Sequence, residues 1–214
     1  MPAIPALPRR LHGPSIWALY GIGLLPAAWY FYLGATGGLG VNPVKTFEHL
    51  LGIWALRFII ATLVVTPLRD LLGINWLRYR RALGLLAFYY VMMHFAVWLI
   101  LDRGLDFSTI GADIVKRPYI TIGMVCLASL LPLALTSNNW SIRRLGPRWS
   151  KLHALIYPVA LGGALHYLLA VKSVTLQPFV HIALVALLLA YRPLRKPFLA
   201  WKRGTAPRVA RATR

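Results

Sequence analysis

His153 and His166 stand 13 residues apart on one apolar stretch, and His94 lies inside another of similar length. Imidazole nitrogen is a strong iron ligand, and a polar side chain inside a bilayer is costly enough to mark a functional site. Three of the six histidines in such places point to axial ligation of heme within a membrane. The single cysteine, Cys126, excludes an internal disulfide and a C-x-x-C-H heme attachment. Any heme is then held by ligation and packing alone.

The elements that must position these histidines follow from composition. The 214 residues are 58% hydrophobic and 14% charged, which is a membrane composition. Crossing about 30 Å of hydrocarbon takes about twenty apolar residues as a helix. Runs near that length fall at 15–34, 49–68, 82–101, 119–135, 152–171 and 174–191. We therefore expect an all-α integral membrane protein, a six-helix transmembrane bundle in one domain over 1–214, with a basic, poorly ordered tail at 192–214.

In a soluble protein the net charge of +19 would suggest nucleic-acid binding, but here it is a topology signal and no nucleic-acid partner is expected. Arg9 and Arg10 precede the first run. Arg69, Arg78, Arg80 and Arg81 separate the second from the third; Arg143, Arg144, Arg148 and Lys151 separate the fourth from the fifth. More basic residues follow Tyr191, whereas the alternate connections hold Lys45, Arg103, Lys116, Arg117 and Lys172 beside Glu48, Asp102, Asp106 and Asp113. Both termini are expected in the cytoplasm. The first run is long enough to span, so it reads as an uncleaved helix and not a signal peptide. The glycines at 34, 37, 38 and 40 neither follow a strand nor open a helix, so they read as a loop and not a dinucleotide fingerprint. NAD(P)H, if it is the electron source, is then oxidised elsewhere.

With that topology the third and fifth helices run outward together. His94 lies 13 residues past Arg81 and His166 lies 14 past Leu152, both about 20 Å from the inner boundary at 1.5 Å per residue. These two can ligate one iron from opposite sides. His153 is left about 20 Å below His166, and Arg80, 14 residues before His94, occupies the place of its partner. Guanidinium has no free lone pair, so Arg80 suits a heme propionate better than iron. Thirteen residues leave His153 and His166 about 140° apart on an ideal helix. A kink at Pro158, with Gly162 and Gly163, would bring them to a common face.

Arg57 falls midway along the second helix, where a propionate or a quinone oxygen would satisfy its charge. His181 and His49 read as packing or interfacial residues, and His12 precedes the first helix. Against an electron conduit with no substrate chemistry of its own stands a transporter whose intramembrane histidines and Arg57 move protons or anions. A stand-alone ferric or quinone reductase of the same fold is a further alternative.

Six helices with His94 on the third and the His153 and His166 pair on the fifth resemble the ferric-reductase-like transmembrane domain. The segments Arg80-Arg81-Ala82-Leu83-Gly84 through His94, and Trp149-Ser150-Lys151-Leu152-His153 through His166, carry the match. Within that superfamily the chain resembles the MsrQ (YedZ) family, heme-binding membrane subunits of the bacterial periplasmic methionine sulfoxide reductase. The resemblance implies an inner-membrane location and b-type heme, one or two per chain, ligated by His94, His166 and His153, with FMN and quinone as candidate further cofactors. It also implies electrons from a cytoplasmic flavin reductase or the quinol pool, delivered to a periplasmic molybdopterin-containing catalytic subunit that repairs oxidised methionines. Two-heme relatives carry two histidines on both ligating helices, and this chain has one on the third.

Overall fold

The computed structural model describes residues 8–171 and 175–204, and every regular element among them is helical. Six stretches are long and apolar enough to cross a bilayer: His12–Ala35, Pro43–Leu72, Leu77–Asp102, Pro118–Leu135, Pro147–Ala170 and Leu176–Trp201. The spans and the connections between them contain α1 (His12–Ala35), α2 (Pro43–Leu72), α3 (Arg80–Ala96), α4 (Phe107–Lys116), α5 (Pro118–Leu135), α6 (Asn139–Leu145), α7 (Pro147–His153), α8 (Ile156–Ala170) and α9 (Leu176–Gly204), with α4 and α6 in connections. The chain is a multi-pass membrane protein.

Helix ends overrun the apolar runs because capping residues extend them. Asn42 accepts from the Lys45 amide at 3.3 Å, with Pro43 at the first position of α2. Gly73, at φ 72°, ends α2 in the left-handed conformation that glycine adopts without steric cost. The polar connection after Asp102 contains α4, which its hydropathy did not announce; Asp106 caps it from the side chain. Beyond Ala96, α3 continues as a π turn over Val97–Asp102.

α2 is the central helix, packed against α1, α3, α8 and α9. Accordingly it is apolar and buried on most of its circumference, through Leu51, Ile53, Leu56, Phe58, Ile59, Leu63 and Val65. α1 is held to α3 by Tyr90, whose hydroxyl donates to the Gly23 carbonyl at 2.8 Å and accepts from the Ala27 amide at 3.1 Å. In an uninterrupted helix those two backbone groups would bond each other. Pro26 interrupts the ladder there, and a side-chain hydroxyl from the neighbouring helix is inserted into the gap.

Two departures from the sequence reading concern the fifth and sixth spans. The fifth breaks at Ala154 and Leu155, directly after His153, instead of kinking at Pro158. Pro158 cannot donate to the Ala154 carbonyl, which takes the Tyr157 amide at 3.1 Å in a tighter turn. The sixth does not stop at Tyr191: α9 runs on to Gly204. There the buried Asp70 carboxylate of α2 accepts from Arg195 Nε at 2.5 Å and from the Tyr191 hydroxyl at 3.1 Å, fixing the added turns to the bundle. Lys172, the expected start at Val174, and the tail from 205 onward lie outside the described residues.

Candidate functional site

His94 on α3 and His166 on α8 are brought together, their ring centroids 6.0 Å apart and their planes at 84°. Two imidazoles that each coordinate a shared metal at about 2 Å place their centroids about 6 Å apart. The rings are also poised electronically. His94 Nδ1 lies 2.8 Å from the Glu48 carbonyl oxygen, and His166 Nδ1 lies 2.6 Å from that of Tyr119. A carbonyl only accepts, so each Nδ1 carries the proton and each Nε2 keeps a free lone pair. Metal-bound histidines commonly show this arrangement, one nitrogen anchored and the other left for the metal.

The carbonyls belong to α2 and α5, and one helical turn beyond each stands a glycine: Gly52 after Glu48, and Gly123 after Tyr119. Gly52 lies 42 residues before His94 and Gly123 lies 43 before His166. α2 with α3, and α5 with α8, thus form two helix pairs built alike, each presenting one imidazole. Ion pairs close this end of the bundle: Lys45 meets Asp102 at 2.7 Å, and Arg103 meets Asp113 at 2.5 Å.

His153 stands apart from this pair, at the basic end. It lines a cavity of about 690 Å³ with Arg78, Arg80 and Arg81, walled by Tyr20, Phe88, Trp149 and Tyr157. Its ring stacks on Trp149 at 3.9 Å and 24°. Its Nε2 lies 2.9 Å from the Thr136 hydroxyl, which also contacts the Pro132 carbonyl at 2.6 Å. The one hydroxyl proton goes to the carbonyl, so Nε2–H of His153 donates to Thr136 and its Nδ1 carries the lone pair. That is the reverse of His94 and His166.

The same end is short of anions. One nitrogen each of Arg78 and Arg192 is buried without a hydrogen-bond partner, and Arg192 lies over the Tyr157 ring at 4.5 Å. A flat ligand with carboxylate or phosphate groups suits such a cavity in size, in aromatic walls and in charge.

Arg57 is not brought to either place. It is exposed on α2, its guanidinium 4.9 Å from the Trp54 ring centroid, and the indole N–H of Trp54 is buried without a partner. His181 is buried, its Nδ1 donating to the Gln177 carbonyl at 2.8 Å, and Tyr167 lies between it and His49. Sequence reasoning missed Gly52, Gly123 and Thr136, and gave Trp149 no role beyond the family match. For the two glycines a signal was present in the matching offsets of 42 and 43 residues.

Residues 51–164 match the model of the family described as ferric reductase like transmembrane component. A Rhizobium meliloti protein is 64% identical over 213 residues, covering 99% of both chains. One from Agrobacterium fabrum is 58% identical over 98% of this chain and 97% of its own. One from Brucella ovis is 63% identical over 86% of this chain and 84% of its own. Each of these relatives is named protein-methionine-sulfoxide reductase heme-binding subunit MsrQ. The chain therefore belongs to the MsrQ family of ferric-reductase-like transmembrane proteins.

Proposed function

We propose that this chain is the heme-binding membrane subunit of a methionine sulfoxide reductase system in the bacterial inner membrane, conducting electrons without substrate chemistry of its own. The observation that carries this reading is the pairing of His94 with His166, 6.0 Å apart with both Nδ1 atoms anchored on carbonyls. A b-type heme bound there supplies reversible one-electron chemistry. The chain's part is to hold both imidazoles in one tautomer and to exclude water with α2 and α5.

The basic end faces the cytoplasm by the distribution of arginine and lysine, with both termini on that side. The cavity there receives the second redox group. His153 offers imidazole, while Arg80, with Arg78 and Arg81, offers guanidinium to the propionates of a second heme or the phosphate of FMN. Ligation through His153 uses Nδ1, or Nε2 once Thr136 is released. Electrons enter from a cytoplasmic flavin reductase or from quinol, for which the exposed Arg57 guanidinium is a donor at the lipid face. They leave past His94 and His166 to a periplasmic molybdopterin-containing catalytic subunit.

The test is the heme-to-protein ratio of the purified chain by pyridine hemochromogen, with His94→Ala, His166→Ala and His153→Ala beside it. The first two variants each lose the same heme, and His153→Ala leaves that heme in place. A chain that never binds heme, or that transports ions in liposomes without a redox cofactor, overturns the reading.

A further inference from the structure

We infer that Gly52 and Gly123 are positioning residues for the two imidazoles, each uncovering the carbonyl one turn before it so that a histidine ring can bond there. The inference rests on the reading of His94 and His166 as ligands of one iron. A Cβ on Gly52 would stand 3.2 Å from His94 Nδ1 and 3.3 Å from its Cε1. A Cβ on Gly123 would stand 3.0 Å from both Nδ1 and Cε1 of His166. Carbon contacts are most favourable at about 3.5–4.0 Å, so neither ring keeps its place beside a methyl group.

Helix geometry explains the register. The carbonyl of residue i accepts from the amide of residue i+4, and the side chain of i+4 stands over the same face. At Glu48 and Tyr119 the carbonyl uses its second lone pair for the imidazole, and the side chain that would cover it is absent. The same device recurs on two separate helices, at nearly the same distance in sequence from its histidine. Elsewhere, close-packed glycines meet other partners: a Cβ on Gly23 would stand 2.6 Å from Leu86 Cδ1, and one on Gly162 2.6 Å from Cys126 Sγ.

Three consequences follow for the iron site. The carbonyl fixes which nitrogen is free, it raises ligand basicity and so the stability of the oxidised iron, and it sets the ring plane. Near-perpendicular rings, as found here, give a strongly anisotropic low-spin signal whose largest g value falls as the planes turn parallel.

The experiment compares Gly52→Ala, Gly123→Ala, Gly52→Val and Gly123→Val in the full chain, purified from membranes. It reads heme per chain, the largest g value of the oxidised low-spin signal, and the midpoint potential. Gly23→Ala is the packing control and Gly21→Ala, exposed on α1 with open space around it, the neutral one. The alanine variants keep heme with a shifted g value and potential, Gly123→Ala more than Gly52→Ala. The valine variants lose affinity for the heme at His94 and His166 by about tenfold or more. Both controls leave g value and potential as they were. Alanine variants with unchanged g value and potential overturn the inference, as does Gly23→Ala producing the same shift. Should His94→Ala and His166→Ala keep this heme, the ligation reading fails instead, whatever the glycines do.

Discussion

Thr136 holds His153 by the nitrogen that His94 and His166 leave free. The Nε2 to Oγ1 distance is 2.9 Å, and the hydroxyl proton is committed to the Pro132 carbonyl. Trp149 completes the clamp, stacking on the ring and donating from Nε1 to the Thr136 carbonyl at 2.9 Å. A heme bound through Nε2 of His153 must first break the Thr136 bond.

Thr136→Val removes that acceptor at nearly constant volume. A neutral hydrogen bond is worth about 0.5–1.5 kcal/mol net, so heme affinity at the basic end rises about two- to tenfold. Titration of hemin into apo chain, with His94→Ala present to remove the other site, measures it. Affinity that falls or stays level excludes ligation through Nε2.

Arg57 carries its charge on an exposed mid-helix position, over the ring of Trp54, whose indole N–H is buried without a hydrogen-bond partner. Arg57→Leu is apolar and compatible with lipid, so the chain inserts and keeps its heme. Loss of one charge-assisted hydrogen bond, about 1.5–3 kcal/mol, slows reduction by a water-soluble quinol about tenfold or more. Reduction by a flavin reductase with NADH is unchanged. Equal slowing with both donors, or with neither, removes Arg57 from quinol binding.

The pairing of His94 with His166 was legible because depth in a membrane helix is a count of residues, and both counts start from a basic boundary. Rotation about the helix was less legible. The 140° between His153 and His166 was assigned to a kink at Pro158, whereas the missing proline N–H breaks the helix a turn earlier, at Ala154. Thr136 was invisible because it reaches His153 across α6, a helix too short and polar to be anticipated. For Arg57 the depth was readable and the direction was not, since that depends on which neighbours α2 acquires. The turns beyond Tyr191 read as a charged tail because Asp70, which holds Arg195, is 125 residues away.

Tyr90 is fully buried and splices its hydroxyl between Gly23 and Ala27. In Tyr90→Phe those two backbone groups can partly re-pair, which limits the cost to about 1–2 kcal/mol. Thermal unfolding in detergent, followed by tryptophan fluorescence, shows a lower midpoint, while the heme spectrum is unchanged. A spectrum that shifts with the midpoint would assign Tyr90 to the heme environment and not to helix packing alone.

Asp70 joins α2 to α9 by accepting from Arg195 and from the Tyr191 hydroxyl. Its side chain is 6% exposed and that of Arg195 is 34% exposed, so the pair is partly screened by water. Asp70→Asn leaves two donors poorly matched, whereas Arg195→Gln leaves the carboxylate its Tyr191 and Arg69 contacts. Asp70→Asn therefore costs more, about 1–3 kcal/mol against about 1. Because the two changes break the same contact, the double variant loses less than the sum of the singles. Hydrogen exchange over residues 192–204 reads the result directly: faster in both single variants and fastest in Asp70→Asn. Exchange there that is unaffected by Asp70→Asn shows that the proline-containing end of α9 is ordered by something other than this carboxylate.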